Sequence, residues 1–369
     1  MAYSYKDAGV DIDLEADGVK ALIKTLSYRR SGEHGMVGDV GHFSGLIDFG
    51  DRVLSLCTDG VGTKMRVADD LKDWHTVGID CMAMNVNDMY VMNIEPIAFV
   101  DYIATEGIDK EQMVQIGIGL NEGAKLANLN IVGGETATLK GMINGLDLAG
   151  TCLGAQVKSK VVTGEKVAPG DVIVGVPSTG VHSNGYTLAR KVAEENGGYS
   201  TVLPSGRTVG EALLTPTRIY SEVLSICDKI DVHGMCHVTG GGLLNFLRIT
   251  GYGFSFDDPM PVPEILEWIA EKGKLSANEL YRTFNMGMGF AFIAAPKDAD
   301  IIVGPIGILA ADSMMGEITP QMALAIGQSA AKKLLLPVNL CKNLVAGTQN
   351  LSLNKLIEDA AKMLASMVS

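Results

Sequence analysis

The stretch Thr58-Asp59-Gly60-Val61-Gly62-Thr63-Lys64 gathers a carboxylate, a hydroxyl and an amine around two glycines. Glycines let backbone N–H groups approach an anion, Thr63 adds a hydroxyl, Lys64 a positive charge and Asp59 a hard oxygen for a metal ion. The order is not that of a Walker A loop, and the structural alternative is a glycine-rich hairpin with a solvated lysine. Asp80 and Asp88, with Asn85 and Asn87, come next, and Glu135 follows Gly133-Gly134. Asp80, Asn87 and Asp88 fall in an otherwise apolar helical stretch, where an unpaired carboxylate is costly. Each needs a cap, a wet face or a cation. Beside the glycine-rich loop, Asp59, Asp80, Asp88 and Glu135 are candidate Mg²⁺ ligands, because Mg²⁺ takes one or two carboxylates along with phosphate oxygens and water. His182 and Asn184 sit in a glycine-bounded turn ahead of a helix, suited to substrate contact or proton transfer, or to a plain backbone-bonded turn. Thr239-Gly240-Gly241-Gly242 also precedes a helix, where its N–H groups hold a phosphate or simply cap.

Such residues need rigid elements behind them. Arg52 to Cys57 reads as a strand leading into the glycine-rich loop. Thr76 to Met92, with Ile79, Met82, Ala83, Val86, Met89 and Tyr90 at helical spacing, reads as a buried helix. Ile97 to Ala104 is a strand, Lys110 to Leu126 a helix, Asn130 to Val132 a strand ending at Gly133-Gly134, and Asp147 to Lys158 another strand. Lys158 to Asp171, with Gly164, Pro169 and Gly170, marks a domain boundary. Beyond it come a strand at Asp171 to Pro177 and helices at Gly185 to Glu195, Pro216 to Ile230 and Gly241 to Thr250. This alternation predicts an α/β chain of mixed layers.

With 369 residues, the chain exceeds what one core usually carries. Thirty basic against 43 acidic side chains give a net charge of −13, which argues against nucleic acid or an anionic membrane as partner. Six scattered cysteines without a CxxC pair support neither a zinc ribbon nor a disulfide framework. The N-terminus lacks an apolar signal-like run, so a cytoplasmic protein is expected. The methionines Met82, Met84, Met89, Met92, Met286 and Met288, and the tryptophans Trp74 and Trp268, read as packing residues rather than ligand sites.

Taken in order, Ser4 to Ile12, the Thr58 to Lys64 loop, Asn87-Asp88, Gly133 to Thr136, Pro177 to Tyr186, Pro216 to Tyr220, His237 to Gly242 and Tyr281 to Asn285 resemble the phosphoribosylformylglycinamidine cyclo-ligase (aminoimidazole ribonucleotide synthetase) family over roughly Tyr3 to Ala295. The resemblance implies two α/β domains, at about 1–160 and 168–300, and a homodimer whose N-terminal sheets join as a barrel. It implies ATP-dependent closure of formylglycinamidine ribonucleotide to aminoimidazole ribonucleotide in purine synthesis. Asp59, Asp88 and Glu135 match metal and phosphate positions, with Asp80 a fourth. Lys6 and Lys64 match basic positions near the triphosphate, beside Gly60, Gly62 and Thr63. His182, Lys6 and Asp59 are then the catalytic candidates, and Asn184, Thr239, Gly240 and Gly241 join the ligand-binding ones. The rivals are a kinase of a small phosphate acceptor and a non-catalytic dimeric nucleotide-binding module. Between Arg29 and Gly50 the family's glycine-rich segment is only loosely present, as Gly38 to Leu46, where a lid over ATP is expected. From about Pro296 the sequence departs from the family. The 301–369 segment is an extension or replacement, running through Ile301 to Gly307 and Leu334 to Val338 to a terminal amphipathic helix, and if the second domain's final strand is missing, Ile301 to Val303 or a partner must cover the exposed sheet edge.

Overall fold

The computed structural model describes residues 4–6, 8–299, 301–305 and 332–336. They fall into two units, Met1–Ile293 and Ala294–Ser369. The first unit opens with α1 (Ile12–Thr25), β1 (Met36–Val37), β2 (Gly45–Phe49), β3 (Arg52–Gly60), α2 (Lys64–Leu71), α3 (Val77–Tyr90), β4 (Glu95–Thr105), α4 (Lys110–Ala127), β5 (Asn130–Thr138) and β6 (Leu146–Val157). It continues with β7 (Val172–Pro177), α5 (Tyr186–Glu195), α6 (Val209–Leu213), α7 (Val223–Cys227), β8 (Val232–His237), a 3-10 segment (Gly242–Arg248), α8 (Glu264–Gly273), α9 (Ala277–Thr283) and β9 (Met288–Ala294), which ends at the unit boundary. The second unit contributes α10 (Pro296–Ala299), β10 (Ile301–Pro305) and β11 (Lys332–Leu336), the two strands pairing in parallel.

Strands β1-β2-β3-β6-β4-β5 form one six-stranded sheet, and β7-β9-β8 a second of three. Only the β4–β5 pair is parallel in the larger sheet, with α4 as its crossover. Period-two alternation sends Val53, Ser55, Phe99, Leu148 and Cys152 to one face, and all five are buried. α3 lies on that face, and its side chains are buried almost all round. α4 starts at an Asp109 cap that accepts from the N–H groups of Glu111 and Gln112, and ends at left-handed Asn128. It packs on α3 through Gly119 and Gly123. The methionines and tryptophans expected to pack are buried.

Several sequence expectations change. β3 runs to Gly60, so the glycine-rich loop shrinks to Val61-Gly62-Thr63. β5 continues through Gly133-Gly134 to Thr138 instead of stopping at Val132. Pro216 to Ile230 is not one helix, because only Val223–Cys227 is helical. The N–H groups of Thr217 and Tyr220 are taken by side chains of α3, which outcompetes a local helix. The helix expected over Gly241 to Thr250 is a 3-10 segment over Gly242–Arg248, and within the second unit Ile301 to Val303 pairs with Lys332 to Leu334. The segment after Leu336 and the expected terminal helix lie outside the described residues.

Candidate active site

Asp59 is the penultimate residue of β3, and its position is fixed by an amide that mimics a neighbouring strand. Asn85 on α3 accepts from the Asp59 N–H at 3.0 Å and donates to the Asp59 carbonyl at 3.1 Å. Asp59 Oδ1 in turn accepts from the Gly60 N–H at 2.7 Å. One helical turn beyond Asn85, Asp88 accepts through Oδ1 from His237 Nδ1 at 2.8 Å. His237 is fully buried at the end of β8, and Asn87 Nδ2 approaches its other nitrogen at 3.4 Å. That amide is a donor, so the ring proton sits on Nδ1 and points at Asp88. Arg248 closes this side, donating to the His42 carbonyl at 2.9 Å while its guanidinium lies 4.2 Å above the Phe43 ring.

The two carboxylates repel each other in a poorly solvated corner. Burial, then the charge of Asp88, pushes the Asp59 carboxyl up to about 6, against the pull of the Gly60 N–H, His237 and Arg248. Paired hard oxygens whose charge is under-compensated are what a divalent cation with phosphate ligands requires. The chemistry of this donor pair therefore fits Mg²⁺, although the described residues contain no group of three or more acidic, histidine or cysteine side chains placed to hold a metal ion by themselves.

The four acids expected together are thus two. Asp80 is fully buried and bound to Lys64 at 2.7 Å, so its charge is already matched. Glu135 lies on the other side of the sheet. The row Asp59, Gly150, Asp101, Gly134 faces α3, whereas the next row, Gly60, Ala149, Tyr102, Glu135, faces away, and Glu135 is exposed. Lys64 is no solvated phosphate contact, because its ammonium is wholly buried. Lys6 is exposed beside Asp11 at 2.7 Å. Gly62 takes a φ of +67° in the turn before α2, and Thr63 Oγ1 lies 3.2 Å from Thr187 Oγ1 on α5.

His182 is also placed differently from expectation. It is buried, with a left-handed φ of +65°, and its Nε2 accepts from the Thr179 N–H at 3.2 Å. Burial, then the charges of His237, Lys64 and Arg218, holds its pKa well below the usual value, so the ring is neutral. It touches no open surface, and its Nδ1 is buried without a hydrogen-bond partner among the described residues. Asn184 borders Gly240, where an added Cβ would lie 3.0 Å from Asn184 Oδ1. Asn245 shapes the Thr239 to Gly242 loop by donating to the carbonyls of Gly240 and Gly242 at 3.1 and 2.8 Å. The Gly242 N–H is used by the Thr239 carbonyl. The Gly38 to Leu46 segment, expected as a lid, is anchored at its end, with Phe43 and Ser44 buried and Ser55 Oγ donating to Ser44 Oγ. Sequence reasoning gave no role to His237, Asn245 and Arg248, and named Asn85 only as a neighbour of the acids. The only signal was that His237 opens the His-Val-Thr-Gly run, far from Asp88 along the chain.

Three family models match this chain: the AIR synthase related protein N-terminal domain at residues 41–156, its C-terminal domain at 168–303, and a domain of unknown function, DUF3842, at 288–369. The phosphoribosylformylglycinamidine cyclo-ligase of Methanococcoides burtonii is 50% identical over 304 residues, covering 80% of this chain and 90% of its own. That of Methanosarcina acetivorans is 52% identical over 299 residues with the same coverage. Among solved structures, AaThiL complexed with AMPPCP and TMP shares the fold at a TM-score of 0.54 and 15% identity, over 78% of this chain and 88% of its own. A thiamine monophosphate kinase from Aquifex aeolicus does so at 0.52 and 15%, over 78% and 90%.

Proposed function

The chain belongs to the phosphoribosylformylglycinamidine cyclo-ligase family, the ATP-dependent C–N ligases that form aminoimidazole ribonucleotide in purine biosynthesis, and from that premise we propose how its residues share the work. An amide oxygen is a poor leaving group. Transfer of the γ-phosphoryl of ATP to it makes departure as phosphate feasible once the neighbouring nitrogen has attacked and closed the ring. The observation that carries the assignment of roles is the Asp59–Asp88 pair, two carboxylates that burial and mutual repulsion leave in want of a cation. Asp59 and Asp88 are the Mg²⁺ ligands, and bound Mg²⁺ supplies charge neutralisation of the transferring phosphoryl group. His237 and Asn87 hold Asp88 in place, Arg248 adds a positive field, and the Thr239 to Gly241 loop with Asn184 lies on the substrate side.

A homodimer is part of this reading. Phe49, Leu56, Val100 and Tyr102 lie on the sheet face turned away from α3 and are 38 to 48% exposed, an apolar face that a second copy would cover. Glu135 belongs to that face, so its contribution to the site depends on the second copy. The cytoplasm is the fitting compartment, since Cys57 and Cys152 stand directly opposite each other on β3 and β6 as free thiols. No helix of the described residues is long and apolar enough to cross a membrane.

The deciding assay incubates the protein with formylglycinamidine ribonucleotide, ATP and Mg²⁺. Aminoimidazole ribonucleotide with stoichiometric ADP and phosphate is expected, and a phosphorylated substrate that is never cyclised would instead identify a kinase. His237→Gln is expected to raise the Mg²⁺ concentration for half-maximal turnover roughly 10- to 100-fold, the usual cost of losing the partner of a metal ligand. An unchanged Mg²⁺ titration in that variant would take Asp88 out of the cation site.

A further inference from the structure

Lys64 is the buried member of the glycine-rich motif, and its ammonium lies against three oxygens, one in an ion pair and two as hydrogen-bond acceptors. Asp80 Oδ2 and the Thr215 carbonyl each lie 2.7 Å from Nζ, and the His182 carbonyl 3.3 Å. Asp80 Oδ1 accepts from the Thr217 N–H at 2.7 Å and from Thr217 Oγ1 at 2.6 Å. Two helical turns along α3, Asn87 accepts from the Tyr220 N–H at 3.0 Å and donates to the Arg218 carbonyl at 2.8 Å. One face of α3 thus grips the backbone from Thr217 to Tyr220, and Lys64, at the start of α2, adds the Thr215 carbonyl and the His182 turn. The same helix carries Asn85, which fixes Asp59, and Asp88.

A buried ion pair is a poor way to gain stability, because desolvation rivals the attraction and an apolar pair of similar volume folds as well. What it supplies is direction, since charge-assisted hydrogen bonds fix the atoms they reach. We infer that the Lys64–Asp80 pair is a positioning device for ring closure, locking the His182 to Asn184 turn and the Thr215 to Tyr220 strip against the helix that carries Asp88. The inference rests on the division of roles proposed above. It assigns the motif lysine to alignment of the substrate side and takes it away from the nucleotide.

The test is the double variant Lys64→Met/Asp80→Asn, which removes both charges and keeps the volumes close. Each single variant strands one buried charge and is expected to lower the thermal midpoint, whereas the double recovers most of that loss. In the folded double variant, kcat/KM for formylglycinamidine ribonucleotide is expected to fall about a hundredfold, the cost of roughly 1 Å of misplacement. Calorimetric affinity for Mg·ATP should stay within about threefold of wild type. Wild-type kinetics in the double variant would make the pair merely structural, and lost Mg·ATP binding would return Lys64 to the nucleotide; either result overturns the inference. Wild-type protein assayed alongside separates a failure of the pair from a failure of the proposed activity. Should the double variant not fold, Thr217→Val carries the same test: a rise of about threefold in KM for the ribonucleotide alone supports the inference, and unchanged kinetics overturns it.

Discussion

The Asp59→Asn substitution is expected to lower ATP-dependent ring closure at least about a hundredfold, close to 3 kcal/mol of transition-state stabilisation, while the cation-free protein becomes more stable above pH 6. Both effects have one origin. The carboxylate is useful because it is under-compensated, and for the same reason it opposes folding when no cation is bound. In the native state Asp59 titrates near 6, above its ordinary 3.8. Between about pH 4 and pH 6 the native chain therefore retains a proton that the unfolded chain has released, so wild-type stability falls as pH rises through that window. An asparagine amide is neutral at every pH and removes this decline, a gain of about 2 kcal/mol at pH 7 once partial solvation is allowed for. Urea titrations of the metal-free protein at several pH values read the slope directly. A variant with wild-type turnover would remove Asp59 from the chemistry, and an unaltered pH slope would show that another group carries the penalty.

The largest expected loss of stability comes from a single methyl group at Gly78. A Cβ there would lie 2.2 Å from Leu120 N and 2.6 Å from both Gly119 C and the Ile116 carbonyl, and all of these are backbone atoms. No side chain can turn aside, so α3 and α4 must separate. Gly78→Ala is therefore expected to cost about 3 kcal/mol or more, the upper range for overpacking. Turnover should fall with it, because α3 carries Asn85, Asn87 and Asp88. Gly117→Ala is the control. It lies on the exposed face of α4 with nothing near an added Cβ, and the better helix former should add about 0.5–1 kcal/mol. Equal thermal midpoints for the two variants would show that the helices can part cheaply.

The elements that local pattern determines were readable from the residues alone. Val77–Tyr90 and Lys110–Ala127 carry helical periodicity, and β3, β4 and β6 carry runs that only a half-buried strand accommodates. That Asp59 and Asp88 need compensation was readable too, because carboxylates beside glycines or within an apolar helix demand it. What stayed hidden depends on partners distant in the chain. Nothing near Lys64 announces that its ammonium meets a carbonyl at Thr215. Pro216 to Tyr220 has the composition of a helix start, but Asp80 and Asn87 claim its N–H groups. The side on which Glu135 stands follows from register across four strands, including an irregularity between Phe99 and Val100 that no local pattern reveals.

The near-complete enclosure of α3 also sets where the molecule can breathe. With sheet on one side, α4 on another and the Thr217 to Tyr220 strip held to its polar groups, this helix has no partial opening that leaves its neighbours intact. Its peptide hydrogens therefore trade with deuterium only when the whole first unit comes apart. The segment that aligns the reacting groups is thus the last to loosen, and warming should abolish catalysis together with the fold rather than ahead of it.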